Sequence, residues 1–143
     1  MRKNTPVHEY QDFLAPLRRL AKASKAKLGG VSCFIIKHGA IISSGINHHP
    51  TGEPMEDLVD GKLVSRPGVI HAEIAALQAA AANGIDLKGA ALLLNMSPCI
   101  PCAREIVRAD IGEVCYLYEW WDKAGLDILR DSGITVRQLK EER

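Results

Sequence analysis

The sequence is poor in aromatic residues and in cysteine, and it has no long uninterrupted run of apolar side chains. Aromatic residues make up 5% of the chain, and four of its 143 residues are cysteines. Small secreted domains that rely on disulfides are much denser in cysteine, and a membrane-spanning helix needs roughly 20 consecutive apolar residues. Residues 1–10 also lack the apolar stretch of a signal peptide. We therefore expect a cytoplasmic protein with no membrane partner.

Neither sign of charge dominates. Lys and Arg total 18 against 17 for Asp and Glu, which gives a formal net charge of +1. Proteins that bind long nucleic acids usually carry a basic excess or a basic patch, so a small-molecule partner is favoured over nucleic acid. The hydrophobic content of 47% is ordinary for a globular chain. The length, with no linker or repeat inside it, predicts a single domain over residues 1–143.

Hydrophobic periodicity predicts four helices and five strands. The helices are expected over residues 8–26, 72–82, 101–109 and 122–131, and the strands over 31–37, 40–44, 90–96, 114–118 and 134–139. His38 and Gly39 indicate a hairpin between the first two strands, and residues 47–68 are predicted to form a long loop. A helical crossover lets the last two strands lie parallel. The prediction is an α/β fold with a five-stranded mixed sheet and helices on both faces.

The most informative motif combines His71-Ala72-Glu73 with Pro98-Cys99-Ile100-Pro101-Cys102. It offers one imidazole and two thiolates as ligands for Zn²⁺, namely His71, Cys99 and Cys102. A structural zinc site usually has four protein ligands, whereas a catalytic site keeps one position open. Both ligand groups begin predicted helices, and helix starts gather at the carboxyl edge of such a sheet.

Glu73 is the residue that distinguishes a catalytic zinc centre from a redox pair or a structural zinc site. A lone C-x-x-C pair is also compatible with a redox site or with half of a structural zinc site. Glu73 lies two residues from His71, where it can move protons to and from an attacking water without binding the metal. Its presence favours a catalytic centre over a structural zinc module, which would need neither Glu73 nor an open position.

Several other residues are candidates at the same edge of the sheet. Trp120 follows the fourth strand, where an indole can stack on a base, although packing at a helix start or at a subunit contact is slightly favoured for it. His48 and His49 can meet a phosphate or a ring, but exposed loop histidines are more common. Cys33 and Cys115 are expected to be small buried side chains. The possible phosphate partners are Lys62, Arg66 and Arg104.

The H-x-E…P-C-x-x-C spacing is the signature of zinc-dependent nucleobase deaminases. From about residue 10 to residue 139, the chain resembles the cytidine and deoxycytidylate deaminase superfamily, and the deoxycytidylate (dCMP) branch most of all. Residues 45–52, Gly-Ile-Asn-His-His-Pro-Thr-Gly, resemble the G-Y-N-G-x-P-x-G segment of that branch, and an acidic insertion follows as it does there. Residues 97–103 and the Ile-Gly-Glu-Val start of the next strand resemble its P-C-x-x-C-A…I-x-E-V run.

The resemblance implies a three-layer cytidine-deaminase-like fold and hydrolytic deamination of a cytosine nucleotide, dCMP to dUMP plus ammonia. It assigns Zn²⁺ to His71, Cys99 and Cys102 and proton transfer to Glu73. It also gives Asn47 a hydrogen bond to the sugar or base, although Asn is common as a turn residue too. Deaminases of this type are often dimers or hexamers, so we expect a homo-oligomer. The predicted substrate contacts are Asn47, His48, Ala72, Ser97 and Trp120.

Two positions depart from the dCMP branch, and they bear on the alternatives. His48 stands where that branch usually has Gly, so control by dCTP and dTTP is not implied, and Ala75 replaces a frequent Asn. The alternative substrates within the superfamily are a modified cytosine nucleotide, dCTP, guanine, a free nucleoside or a tRNA adenosine. The predicted helix over residues 122–131 resembles the nucleotide and polynucleotide branches, whereas free-nucleoside enzymes usually connect their last strands by a tight turn.

Overall fold

The computed structural model describes residues 7–140. A short 3-10 turn, Val7–Tyr10, leads into helix α1, and the elements in chain order are α1 (Gln11–Ala21), β1 (Ser32–Lys37), β2 (Ala40–Ile46), β3 (Glu56–Val59), β4 (Lys62–Ser65), α2 (Ala72–Ala82), β5 (Ala91–Met96), α3 (Ile100–Arg108), β6 (Glu113–Tyr118), α4 (Ala124–Asp131) and β7 (Thr135–Gln138). Residues 1–6, which belong to the stretch expected to lack a signal peptide, lie outside the described residues. Within residues 7–140, no helix is both long and apolar enough to cross a membrane.

Five strands form one mixed sheet in the order β2-β1-β5-β6-β7. β1 pairs antiparallel with both β2 and β5. β5 pairs parallel with β6, and β6 pairs parallel with β7. The helices α3 and α4 supply the crossovers that parallel pairing requires. The predicted mixed sheet, with its last two strands parallel, is confirmed.

Side chains alternate between the two faces of the sheet and meet helices on both. On one face, Cys33 and Ile35 of β1 join a core formed with α2, α3 and α4. On the other face, Phe34 and Ile36 pack in a second core with Leu14 and Leu17 of α1. The molecule therefore has three layers, as predicted. Cys33 and Cys115 are fully buried and free, which confirms the expectation for both.

Two predicted segments differ from the structure by more than two residues. The first helix was expected over residues 8–26, but α1 ends at Ala21, the last buried position on its apolar face. The predicted loop over residues 47–68 contains the separate hairpin β3–β4. Asp60 and Gly61 form its turn with φ values of 50° and 78°, the left-handed conformation of a two-residue hairpin turn. Because the hairpin side chains are mostly exposed, hydrophobic periodicity did not reveal it.

Candidate active site

The ends of β5 and of the segment before α2 bring the three predicted zinc ligands together. His71 is the N-cap of α2 and Cys99 is the N-cap of α3; both have extended backbone angles, and neither side chain makes a capping hydrogen bond to its helix. Cys102 follows in the first turn of α3, where Pro101 is tolerated because its missing N–H has no intrahelical role there. The two helix starts therefore meet at one edge of the sheet.

Glycines at two positions allow these helix starts to pack closely. A Cβ atom at Gly45 of β2 would overlap the carbonyl oxygen of Ala72 in the first turn of α2. A Cβ atom at Gly125 of α4 would overlap the carbonyl oxygen of Pro98 and lie 3.0 Å from that of Cys99. β2 and α4 thus press against the backbone beside His71 and Cys99, and only glycine leaves the necessary space.

The geometry of the three side chains fits a metal ion. Their ligand atoms all lie within 4.8 Å of one another. His71 Nδ1 is 3.2 Å from Cys102 Sγ and 3.5 Å from Cys99 Sγ. In a tetrahedral zinc site with ordinary bond lengths, neighbouring nitrogen and sulfur ligands are about 3.6 Å apart. A His/Cys/Cys donor set at these distances suits Zn²⁺ with one position left for another ligand.

Hydrogen bonding within the cluster already favours one thiolate. Hydrogen bonds from Cys102 and His71 hold the pKa of Cys99 down to about 4, against the opposing effect of burial. The same Cys99–Cys102 hydrogen bond, together with burial, raises the pKa of Cys102. The bond to Cys99 also raises the pKa of His71. These hydrogen bonds therefore favour the thiolate form of Cys99, which is the form that binds metal.

Glu73 lies in the first turn of α2 and is 4% exposed. Burial is the largest of the influences on this carboxyl group, and it raises the pKa of Glu73 to about 7. The fully buried Cys33 lies close enough for the Glu73 charge to raise the pKa of its thiol in addition to burial. A buried carboxyl group whose pKa lies near 7 can both accept and return a proton at physiological pH.

A pocket of about 280 Å³ opens beside the metal cluster. His71, Glu73 and Cys99 form part of its wall. Four of the five predicted substrate contacts also line it, namely Asn47, Ala72, Ser97 and Trp120. The fifth, His48, does not line this pocket; its Nδ1 lies 2.9 Å from the carbonyl oxygen of Ile46, and its backbone pairs with that of Ile70.

The possible phosphate partners proposed from the sequence lie elsewhere. Arg66 forms ion pairs with Glu53 and Asp57 at 3.8 and 3.6 Å. Lys62 is exposed near the tip of the β3–β4 hairpin, and Arg104 is exposed on α3. Among residues 7–140, no lysine or arginine belongs to the pocket lining, and Glu56 supplies a carboxylate there instead.

Glu56 is a pocket residue that the sequence did not single out, because it lies in the segment predicted to be a long loop. It is only 9% exposed, and its two carboxylate oxygens accept hydrogen bonds from the backbone N–H groups of Lys27 and Leu28. The Asp60-Gly61 hairpin signal was the available clue. With the hairpin in place, Glu56 and its partner Ser65 occupy the base of the two strands, and both line the pocket.

Comparisons with known proteins agree with this geometry. Residues 7–118 match the family model described as cytidine and deoxycytidylate deaminase zinc-binding region. Deoxycytidylate deaminase of Enterobacteria phage T4 is 38% identical, over 82% of this chain and 82% of that protein. Deoxycytidylate deaminase of Mus musculus is 30% identical, over 89% of this chain and 77% of that protein.

A solved structure is also similar. The dCMP deaminase of cyanophage S-TIM5, in complex with dCMP and dUMP, superposes with a TM-score of 0.85 at 27% identity, over 95% of this chain and all of that one. The zinc-binding family description and the His/Cys/Cys group together confirm the predicted cofactor.

Proposed function

Because the chain belongs to the cytidine and deoxycytidylate deaminase family, we propose that this zinc-dependent enzyme hydrolyses dCMP to dUMP and ammonia. The observation that carries the proposal is a buried Glu73 beside a His/Cys/Cys metal group in the wall of a nucleotide-sized pocket. The relatives named deoxycytidylate deaminase, and a similar structure holding dCMP and dUMP, support the choice of substrate.

His71, Cys99 and Cys102 would hold the zinc. Zinc bound there would supply the Lewis acidity that makes water a nucleophile near neutral pH. Glu73 would then carry both protons of the attacking water in turn: its carboxylate takes the first proton and delivers it to the ring nitrogen N3, and it later takes the second proton from the new C4 hydroxyl and delivers it to the departing amine. Water oxygen is joined to C4, the C4–N4 bond breaks, and ammonia leaves. The burial that raises the pKa of Glu73 to about 7 suits both proton transfers.

Other pocket residues would hold the cytosine ring and the sugar. Ala72 is the first residue of α2, so its backbone N–H has no intrahelical acceptor and can donate to the carbonyl of the base. Trp120 offers an indole face for stacking, which is worth roughly 1–3 kcal/mol per base. Asn47 keeps hydrogen-bonding capacity for a sugar hydroxyl, because its side-chain amide makes one donor and one acceptor bond within residues 7–140 and can make more.

The 5′-phosphate would require a cation from outside the pocket lining. Lys25 and Lys27 flank Ala26, which is itself a lining residue, and both lysines are exposed. Both are adjacent in sequence to a lining residue, whereas Arg66 is already engaged by two carboxylates. We assign the phosphate contact to this pair in place of Lys62, Arg66 and Arg104. A homo-oligomer, dimeric or hexameric, in the cytoplasm completes the proposal.

The test is ammonia release from a matched panel: dCMP, CMP, dCTP, deoxycytidine, guanine and a tRNA anticodon stem-loop. Zinc content is measured in the same samples. We expect dCMP to have the highest kcat/KM of the panel. Turnover of another member above dCMP would replace dCMP as the substrate, and inactivity on every monomer in zinc-loaded protein would contradict a nucleotide-pool enzyme.

A further inference from the structure

The segment between α1 and β1 forms one wall of the pocket, and we call residues 26–30 the strap. Ala26, Leu28, Gly29 and Gly30 of the strap all line the pocket. Two successive glycines make this segment intrinsically mobile in the unfolded chain, so its shape must be imposed by the residues that hold it. The structure shows side chains from three other segments bonded to its backbone.

At its β1 end, the strap is held by two asparagines. Asn47 Oδ1 accepts from the N–H of Val31 at 2.8 Å, and Asn47 Nδ2 donates to the carbonyl of Gly29 at 3.3 Å. Asn95 Nδ2 donates to the carbonyl of Gly30 at 2.9 Å. These amide groups fix Gly29 and Gly30 against the strands β1, β2 and β5.

At its α1 end, the strap is held by Glu56. The carboxylate oxygens Oε1 and Oε2 each accept one backbone hydrogen bond at 3.1 Å, from Lys27 and Leu28 respectively. Glu56 is the single buried residue among the eight of β3 and β4. The rest of the hairpin is exposed, including Leu58 at 72%. The hairpin is therefore buried against the rest of the protein at the start of β3, where Glu56 accepts hydrogen bonds from the strap.

We propose that Glu56 is a positioning residue: by binding the N–H groups of Lys27 and Leu28, it fixes the strap as the pocket wall and so sets substrate affinity. Its effect falls on binding, because the carboxylate bonds the wall and is not part of the zinc group or of the Glu73 proton path. The kinetic part of this inference rests on the proposed function; the structural part does not.

The carboxylate is well matched to this role. Both N–H groups point at one side chain, so the acceptor must offer two oxygens. In Glu56→Gln, one oxygen is replaced by an NH₂ group that faces an N–H donor, and one of the two bonds is lost. Glu56→Asp keeps the charge but is shorter by one methylene, so it cannot reach both donors from the same backbone position. Asp57→Asn is the matched control: it removes the same charge from the next residue, which points to the opposite side of the strand and is exposed.

The test has two independent parts. Hydrogen–deuterium exchange, measured without substrate, should show the Lys27 and Leu28 amides exchanging at least about tenfold faster in Glu56→Gln than in wild type. The β1 and β5 amides of this variant should exchange at the wild-type rate. In Asp57→Asn, the Lys27 and Leu28 amides should also exchange at the wild-type rate. In steady-state kinetics, KM should rise about tenfold with kcat within about twofold and zinc content unchanged. Glu56→Asp should change the exchange rates and KM in the same direction, and it provides the test should Glu56→Gln fail to fold.

The outcomes are distinguishable from a failure of the proposed function. If the strap amides exchange at the wild-type rate in both Glu56 variants, the inference is overturned, whatever the substrate. If exchange increases but KM stays unchanged on the substrate that the panel identifies, the strap does not set affinity and the inference is also overturned. If dCMP is not a substrate at all, the exchange result still stands, and KM is measured on the panel member that is turned over.

Discussion

The hydroxyl oxygen of Ser97 accepts a hydrogen bond from the backbone N–H of Trp120 at 2.7 Å. This bond joins two loops that leave neighbouring strands: Ser97 follows β5 and directly precedes Pro98 and Cys99, whereas Trp120 follows β6. A second bond, from Ser97 N–H to the carbonyl of Tyr118, links the same two loops. Ser97 is 5% exposed, so water cannot readily replace its hydroxyl. The loop that carries Cys99 and the segment that carries Trp120 are thereby held in a fixed position relative to each other.

Ser97→Ala should weaken substrate binding by displacing Trp120. The substitution leaves the Trp120 N–H without its acceptor, which costs about 1–3 kcal/mol for a buried group. We expect KM to rise by about tenfold or more, and the change in tryptophan fluorescence on substrate binding to shrink. Ser132→Ala is the control, because it removes an exposed hydroxyl at the end of α4. Equal KM values in Ser97→Ala and wild type would contradict this role.

Glu73→Gln should abolish turnover while the zinc remains bound. Glutamine keeps the size of the side chain but cannot carry a proton, and general acid–base catalysis contributes about 10²–10⁴-fold in rate. We expect kcat to fall by at least about 10²-fold with zinc content unchanged. Glu105→Gln removes a carboxylate from the surface of α3 and serves as the control. Substantial activity in Glu73→Gln would remove the proposed proton path.

Gly125→Ala should lower zinc affinity although residue 125 does not touch the metal. The added Cβ would meet the carbonyl oxygens of Pro98 and Cys99, which are backbone atoms and cannot simply rotate away. Either α4 or the loop that carries Cys99 must move. If the loop moves, the Cys99 thiolate is displaced from its position in the metal group. Competition with a chromogenic chelator should show zinc released at a chelator concentration about tenfold lower than for wild type. Asp127→Ala, exposed on the same helix, should bind zinc like wild type.

Lys27→Ala should weaken recognition of the 5′-phosphate and leave recognition of the base unchanged. The Lys27 backbone N–H that Glu56 binds is retained in this variant, so only the side-chain cation is lost. We expect KM for dCMP to rise by about fivefold to tenfold and kcat/KM for deoxycytidine to change little. The difference in KM for dCMP between the variant and wild type should narrow at high salt, because salt screens the charge of Lys27. Lys22→Ala is the control, because Lys22 is an exposed residue at the end of α1 and neither of its chain neighbours lines the pocket. A uniform loss on both substrates would place Lys27 in a structural role.

The sequence predicted the metal group and the sheet because their signals are local. Cys99 and Cys102 stand at the start of a helix that follows the apolar strand β5, and His71 stands at the start of the alanine-rich helix α2. The alanine-rich helix α2 was predicted with its observed boundaries, since alanine favours helix and Gly84 follows its end with φ of 65°.

The walls of the pocket could not be predicted in the same way, because they depend on contacts between distant segments. Glu56 accepts hydrogen bonds from Lys27 and Leu28, which lie 29 and 28 positions earlier in the chain. It belongs to a hairpin in which apolar Leu58 and Val59 are exposed, so the strands show no alternation of apolar and polar residues. Asn47 had the right neighbourhood for a substrate contact, yet its amide also bonds Gly29 and Val31, which residue type alone did not indicate. The roles of Asn47, His48, Ala72, Ser97 and Trp120 toward substrate stay predictions.

The stability of the fold should decrease at alkaline pH because buried thiols must stay protonated. Burial is the main cause that raises the pKa of Cys115 to about 12, and the nearby Glu113 charge is the next contributor to this value. An unfolded thiol ionises at about pH 8.5. Above that pH the unfolded chain binds fewer protons than the folded one, so the contribution of Cys115 is complete below about pH 8.5 and is lost as the pH approaches 12.

Urea denaturation between pH 7 and pH 10.5 can measure this loss. The free energy of unfolding should fall above about pH 8.5, by up to about 1.4 kcal/mol per pH unit for each such thiol. Cys115→Ala should reduce the slope without removing it, because burial also raises the pKa of Cys33, whose thiol remains. A slope in Cys115→Ala equal to that of wild type would show that the Cys115 thiol ionises in the folded protein as easily as in the unfolded chain, and its burial in the α1-facing core would then impose no proton linkage on folding.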